Sequence, residues 1–285
     1  MSSYDIAKRQ NEPFALKTQY AARYCYNLAE TLNYFAWLFC LISAFSIFLP
    51  NGLPWYLSFA IPFVADVIAW VLMVLVNGNV KKAANLRKYF DAYSIDIGID
   101  QYSESEKRQL AQIAEKCYSK NTQNAKFQMN NSATCTPPGV HDWYMFSKQY
   151  NDLEAKFECQ RQNIWWDKEL FRIKYAATYF LFVIVVTTFI ILALRSGFVK
   201  ALLCSAGLII KLVERMIDNR KYRELSIKID GAQQAIETHF TIEGIEQLQR
   251  LIDERRAVNV LGINLLHKKW AYKLTKKYDN ISNLK

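Results

Sequence analysis

Three short stretches of the sequence combine aromatic rings with charged or amide side chains. They span residues 87–91, 137–144 and 159–167. An aromatic face can stack on a nucleobase, Arg pairs with phosphate, and Asn, Gln or Asp can bind the edge of a base. One function that this mixture could perform is the binding of a nucleotide. The candidate binding residues are Arg87, Tyr89, Asp91, His141, Asp142, Trp143, Tyr144, Asn163 and Trp166.

The same composition has a second interpretation, which the sequence leaves open. A buried Trp or Tyr keeps a polar end that needs a hydrogen-bond partner. Under this interpretation the three stretches form the polar part of an ordinary protein core, and they bind no ligand.

No pattern typical of an enzyme accompanies these residues. The sequence contains no glycine-rich phosphate-binding motif, no zinc-protease motif and no serine-hydrolase motif. Its three histidines, His141, His239 and His267, are far apart, and its six cysteines form no CxxC pair. We therefore expect no catalytic residues, no metal and no cofactor, and we expect reduced cysteines.

One ionisable residue, Asp66, lies in the middle of a long apolar run, four residues after Pro62. A carboxylate at this depth in a membrane costs a few kcal/mol on insertion scales, so it must face protein or water rather than lipid. Three roles remain open from the sequence: a hydrogen-bonded packing residue, a residue that lines or gates a pore, or a residue that binds a ligand or relays protons.

Four apolar runs account for most of the aliphatic and aromatic residues, at 34–49, 55–76, 175–194 and 198–213. A helix needs about 20 apolar residues to cross a bilayer, and the second and third runs reach that length unaided. The first and fourth must include flanking residues. The runs predict an all-α membrane protein with four transmembrane helices in two hairpins.

The basic residues predict the orientation. Of 36 Lys and Arg residues, four precede the first run, none lies in the first turn, and fifteen lie in the segment 77–174. Another fifteen lie from residue 211 onward. Because cytoplasmic segments carry the excess of Lys and Arg, we expect both termini in the cytosol of a multi-pass inner-membrane protein. So little of the chain faces outward that a receptor for an external protein is excluded.

These boundaries divide the chain into five parts. We expect a cytosolic amphipathic arm (1–33), a first transmembrane hairpin (34–76), a cytosolic helical sensor segment (77–174), a second hairpin (175–213) and a cytosolic helical tail (214–285).

The periodicity and capping residues also predict details within the cytosolic parts. The segment 121–138 is predicted as a loop, Asp142 as the cap of the next helix, and that helix is predicted to end near Trp165 and Trp166. The segment 265–278 is predicted as a basic amphipathic helix.

Several of these features together resemble the SMODS-associating four-transmembrane effector family. The resemblance spans residues 5–275 and includes two hairpins around a cytosolic segment. Where members of that family have Arg, this chain has His141. The residues that carry the resemblance are Gln10, Asn11, Leu16, Ala22, Arg23, Tyr24, Arg87, Tyr89, Phe90, Asp91, residues 139–144, Gln160, Asn163, Trp166, Asp167, Arg172 and Tyr175.

The resemblance implies an antiphage effector of bacterial cyclic-oligonucleotide signalling, known as CBASS. In such systems a CD-NTase nucleotidyltransferase makes a cyclic oligonucleotide during infection. The effector binds that ligand and permeabilises the inner membrane, so that the cell dies or stops growing. No DNA or RNA polymer is expected as a partner.

Four spans are few for a pore built from one chain, so we expect a homo-oligomer in contact with membrane lipid. Two alternatives remain: an ion channel or transport subunit gated by a protein partner, and a membrane-tethered scaffold. Because neither responds to a cyclic nucleotide alone, such a response separates them from the implied effector.

Overall fold

The structure is a computed structural model that describes residues 1–49, 54–132, 135 and 137–260. The described chain is built from α-helices. The helices are α1 Ser3–Gln10, α2 Pro13–Phe45, α3 Trp55–Ile95, α4 Glu104–Lys120, α5 Thr122–Asn130, α6 Asp152–Ser196, α7 Phe198–Thr238 and α8 Ile242–Arg256. Short 3-10 turns follow α2, at Ser46–Phe48, and α3, at Ile99–Gln101.

Four helices are far longer than the bilayer is thick. Helices α3 and α7 have 41 residues each, and α6 has 45. At 1.5 Å per residue, 41 residues extend roughly 60 Å, about twice the hydrocarbon thickness. Each apolar run therefore continues without a break into an extramembrane helix. Helix α2 does the same at its N-terminal end, where Pro13 occupies the first turn.

The apolar halves of these helices expose large hydrophobic side chains. Phe63 is 69% exposed, Trp70 68% and Phe180 70%. Three stretches are long and apolar enough to cross a membrane: Pro13–Phe48, Tyr56–Ile95 and Thr178–Arg195. The fourth run, at the start of α7, stops sooner because Glu214 and Arg215 follow it. An all-α membrane fold is confirmed.

The extramembrane halves of the long helices pack with α1, α4, α5 and α8 into a helical domain. Its largest apolar cluster joins six helices: Ile6 of α1, Ala15 of α2, Phe90 of α3, Ile164 of α6, Ile229 of α7 and Leu248 of α8 are among its buried members. The spans and this domain therefore share the same continuous helices.

Two local predictions were wrong. Residues 122–130 form helix α5 rather than a loop, because the side chain of Asn121 caps the helix by accepting a hydrogen bond from the Asn124 N–H. Helix α6 begins at Asp152 after its N-cap Asn151, not at Asp142, which has φ +49°.

A third local prediction was also wrong, since α6 continues through Trp165 and Trp166 into the membrane. A pair of bulky aromatic residues does not end a helix unless Gly or Pro follows, and neither does here. The predicted helix at 265–278 lies outside the described residues.

Candidate functional site

The carboxylate of Asp91, on α3, is fully buried and accepts three hydrogen bonds. Tyr144 donates its hydroxyl to Oδ1 at 2.5 Å. On Oδ2 the donors are Arg256 Nη1 at 2.5 Å and Gln249 Nε2 at 3.1 Å. Asn163 of α6 donates to the Tyr144 hydroxyl at 3.0 Å. One carboxylate thus joins α3, α6, α8 and the segment that connects α5 to α6.

A second carboxylate, Asp253, lies beside the first. It accepts hydrogen bonds from Arg256 Nη1 at 3.2 Å and from Gln249 Nε2 at 3.1 Å. Burial raises the pKa of Asp253 to about 6, although the adjacent charge of Arg256 acts in the opposite direction. Two carboxylates therefore share one guanidinium group.

Arg87 lies one helical turn before Asp91 and stacks on Trp143. Its guanidinium carbon is 4.1 Å from the centroid of the Trp143 ring. Burial and, after it, the charge of Arg256 lower the pKa of Arg87, since nearby like charges disfavour the protonated form. We call this group the polar site: Arg87, Asp91, Trp143, Tyr144, Asn163, Gln249, Asp253 and Arg256.

Several buried polar atoms in and around the polar site have no hydrogen-bond partner in the described part of the chain. They include Arg87 Nε, Arg256 Nη2, the Tyr102 hydroxyl and Gln160 Oε1. More than nine in ten buried polar groups in proteins are paired, so unpaired ones need an explanation. Three of these atoms are donors from Arg or Tyr, which would suit an anion.

The segment between α5 and α6, which we call the connecting loop (residues 131–151), is held by amide side chains. Gln10 accepts a hydrogen bond from the Tyr144 N–H at 2.7 Å and donates one to the Tyr144 carbonyl at 3.0 Å. Gln162 forms an equivalent pair with the backbone of Met145. Asn11 accepts a hydrogen bond from the Asp142 N–H at 3.0 Å and donates one to the Asp142 carboxylate oxygen Oδ1 at 2.7 Å. These pairs satisfy backbone groups that would otherwise be buried without partners.

Arg23 of α2 also holds the connecting loop. It donates to the carbonyl of Pro138 at 2.7 Å and to that of Gly139 at 3.2 Å. Burial lowers the pKa of Arg23, and the charge of Arg87 contributes to the same shift. A Cβ atom at Gly139 would lie 1.9 Å from the Asn131 carbonyl oxygen, so only glycine fits there.

The structure brings together five of the nine residues that the sequence nominated: Arg87, Asp91, Trp143, Tyr144 and Asn163. The other four lie at its edge or on another face. The Tyr89 ring packs against the rings of Phe14 and Tyr102, with centroid distances of 5.7 Å and 4.9 Å. His141 Nδ1 lies 2.8 Å from Asp142 Oδ2. The ring centroids of Trp165 and Trp166 are 6.1 Å apart.

Sequence reasoning did not nominate Arg256, Gln249 or Asp253. A signal was present in α8, where Ile245, Gln249, Ile252 and Arg256 recur at helical spacing. Polar residues on the stripe that buries Ile245 and Ile252 must find buried partners. That pattern indicates a polar site but does not identify Asp91 as the partner.

The structure places Asp66 against α7 within the bundle. Its Oδ2 accepts a hydrogen bond from the Gly207 N–H at 3.2 Å, and a Cβ atom at residue 207 would lie 2.2 Å from Oδ1. The nearby Ser43 hydroxyl donates to the Cys204 carbonyl at 3.1 Å. In the single chain, Asp66 faces protein rather than lipid, as its cost in hydrocarbon requires.

No cluster of three or more His, Cys, Asp or Glu side chains suited to a metal occurs among the described residues. The polar site offers guanidinium groups, amides and an indole ring, which suit an anion with an aromatic group rather than a cation.

Comparisons with known proteins give one match. A family model for the SMODS-associating 4TM effector domain matches residues 4–241. A search of curated proteins found no similar protein, and a search of solved structures found none either. The matched region contains the four apolar runs and all nine nominated binding residues. The chain therefore belongs to the SMODS-associating 4TM effector family and is a membrane effector.

Proposed function

We propose that this protein is a membrane effector that is switched on when a cyclic oligonucleotide binds at the polar site. The observation that carries the proposal is the pair of buried guanidinium groups, Arg87 and Arg256, each with an N–H that has no partner among the described residues. The indole of Trp143 lies against the first of them. Cations that lack a full set of acceptors and lie beside an aromatic ring are suited to a nucleotide phosphate.

The long helices supply a route from this site to the membrane. Arg87 and Asp91 lie on α3, Asn163 on α6, and α2 contributes Tyr26, whose hydroxyl donates to the Arg256 carbonyl at 3.2 Å. In α7, the Tyr222 ring lies 5.4 Å from the Arg255 guanidinium carbon. A shift of α8 or of the connecting loop would thus act on the helices of all four apolar runs.

The proposed output is permeabilisation of the bacterial inner membrane, with growth arrest or cell death as the result. Both termini lie in the cytosol, where a CD-NTase makes the ligand. No catalytic turnover is involved, and several copies assemble because four spans enclose too little space for an aqueous pore. Asp66 would then line or gate the permeation path, after α3 and α7 rearrange.

The direct test of binding is thermal unfolding of the full chain in detergent, with a panel of cyclic di- and trinucleotides. At least one should raise the unfolding temperature. Trp143→Ala and Asn163→Ala should reduce that shift while the proteins still fold, by an amount equivalent to about 1–3 kcal/mol of binding free energy.

If no cyclic nucleotide changes the unfolding temperature of the wild type, the polar site is an ordinary buried core. Gating by a protein partner would then be the better account. The matched control is Trp70→Ala, because Trp70 is exposed on the apolar part of α3 and lies 17 residues, or about 25 Å of helix, before Arg87.

A further inference from the structure

Four guanidinium groups and three carboxylates lie in or beside the polar site. Arg256 pairs with Asp91 and Asp253, and Arg255 Nη2 pairs with Asp167 at 2.8 Å. Arg23 and Arg87 form no ion pair with any residue that the structure describes. The group formed by Arg23, Arg87, Arg255, Arg256, Asp91, Asp167 and Asp253 therefore carries a formal charge of +1 when all seven are ionised.

The donors of Arg256 are unevenly used. Its side chain is only 7% exposed, and Nη1 donates to both Asp91 and Asp253. The buried Nη2 has no described partner, and neither has Nε of Arg87. A planar guanidinium offers five N–H donors in a fork that matches two oxygens of one anion. Both side chains thus retain the capacity to bind an anion.

Asp91 already supplies an anion of that shape. Its two carboxylate oxygens receive donors from opposite sides, Oδ1 from Tyr144 and Oδ2 from Gln249 and Arg256. A phosphodiester also presents two equivalent oxygens and carries one negative charge. The contacts that hold Asp91 are therefore contacts that a phosphodiester could take over.

We infer that the polar site takes one phosphodiester group of the ligand, bound by Arg87 and Arg256, and that Asp91 is the internal anion that this group displaces from Arg256. The inference rests on the proposed function. It also assigns Asp91 a role different from ligand contact: Asp91 competes with the ligand, and its release is the first step of activation.

The formal charge of +1 indicates which type of phosphate group fits the polar site. A phosphodiester carries one negative charge and neutralises the excess of +1. A terminal phosphomonoester carries about −1.5 to −2 at neutral pH, and the surplus would be buried beside Asp91 and Asp253. Linear 5′-pApA carries both groups, one phosphodiester and one terminal monoester, whereas ApA carries the phosphodiester alone. A site that takes the phosphodiester should bind ApA at least as tightly as 5′-pApA.

Displacement of Asp91 changes the contacts of three elements. In the connecting loop, the Tyr144 hydroxyl loses Asp91 as its hydrogen-bond acceptor. In α8, Gln249 and Arg256 lose their hydrogen bonds to α3. Because Asp91 lies on the same helix as Asp66, its release removes a restraint on a membrane-spanning helix. Ligand binding and helix movement are thereby linked at one ion pair.

The experiment compares affinities of four variants of the full chain in detergent. The probes are cyclic di-AMP, cyclic di-GMP, cyclic tri-AMP, linear ApA and linear 5′-pApA. Asp91→Asn keeps the size and removes the charge, so it should bind the best cyclic probe about tenfold more tightly. Arg87→Gln should bind it at least tenfold more weakly. Arg220→Gln, on the exposed face of α7, is the matched control and should bind like the wild type.

A fourth variant guards against a folding defect in Asp91→Asn. Tyr144→Phe removes one donor from Asp91 without adding or removing charge, and it should also bind more tightly than the wild type. A residue that contacts the ligand or only supports the fold would give weaker or unchanged binding. The sign of the effect therefore separates an internal competitor from both other roles.

The outcomes separate this inference from the proposed function. Should the wild type bind a cyclic probe while Asp91→Asn and Tyr144→Phe both weaken binding, the competition by Asp91 is wrong and the proposed function stands. Binding of 5′-pApA that is tighter than binding of ApA would overturn the selection of a phosphodiester. A wild type that binds no probe overturns the proposed function, and this inference with it.

Discussion

Arg256 Nη1 donates a 2.5 Å hydrogen bond to Asp91 Oδ2, although the two residues are 165 positions apart. The bond joins the extramembrane end of a membrane-spanning helix, α3, to the last described helix, α8. Loss of one partner from a buried pair leaves an uncompensated charge, which typically costs 3–5 kcal/mol, about the stability of a marginal domain. The pair is therefore both a structural joint and the point at which an incoming anion would act.

The connecting loop should depend on Gln10. Gln10→Ala leaves the buried backbone N–H and C=O of Tyr144 without their partners, which should lower the free energy of unfolding by about 1–3 kcal/mol. Thermal unfolding in detergent measures this. The control is Gln112→Ala, since Gln112 is exposed on α4. Equal melting of Gln10→Ala and the wild type would show that the two amide bonds do not hold the loop.

The contact between Asp66 and Gly207 should control permeabilisation. Asp66→Asn keeps the size and the hydrogen bonding, so nucleotide-triggered leakage should persist with altered cation preference. Asp66→Leu removes both charge and polarity and should abolish leakage and toxicity, while nucleotide binding remains. Leakage from liposomes and growth after induction measure both. Unchanged leakage in Asp66→Leu would make Asp66 a packing residue only.

Gly207→Ala provides the structural control for Asp66. Its new methyl group would lie 2.2 Å from Asp66 Oδ1, so the packing of α3 on α7 must change. The double variant Asp66→Ala/Gly207→Ala should unfold at a higher temperature than Gly207→Ala alone, because the obstructing carboxylate is gone. If the two unfold alike, the close approach of these helices does not matter for stability.

The spans and most helices could be predicted from apolar runs and helical spacing, because burial in lipid or in a core imposes those patterns locally. Arg87 and Asp91 could be nominated together because one short stretch combines charged and aromatic side chains. Arg256 was missed because its partner comes from a distant segment, which no local pattern specifies. Helix α5 was missed because its polar sequence resembles a loop, and one Asn121 side chain decides the outcome.

Membrane orientation follows from the charge distribution. Fifteen Lys and Arg residues lie in the segment 77–174 and none in the first turn, so both termini should be cytosolic. Reporter fusions after Gly52 and after Lys285 should report opposite compartments. Two reporters are fused at each position, one active only in the cytosol and one active only outside it. Their opposite responses control for differences in expression. Both fusion points on one side would contradict the four-span arrangement.

Asp253 should give the helical domain a pH dependence. Burial raises its pKa from an ordinary value near 3.8 to about 6, while Arg256, Asp91 and Lys88 also act on it. The proton is held more tightly in the folded protein, so the stability it contributes is complete below pH 3.8 and is lost as the pH rises through 6. Asp253→Asn should therefore lose less stability than the wild type between pH 4 and 6. Parallel melting curves for the two proteins across that range would contradict the assignment.

The central claim is that a cyclic oligonucleotide alone opens the membrane through this protein. The most direct measurement is dye release from phosphatidylethanolamine and phosphatidylglycerol liposomes that contain the purified full chain. Release should be low without ligand, should rise when the cyclic nucleotide found by thermal shift is added, and should be much weaker with Arg87→Gln at the same concentration. Release that is equally high without nucleotide, or absent with every nucleotide that binds, would contradict the account.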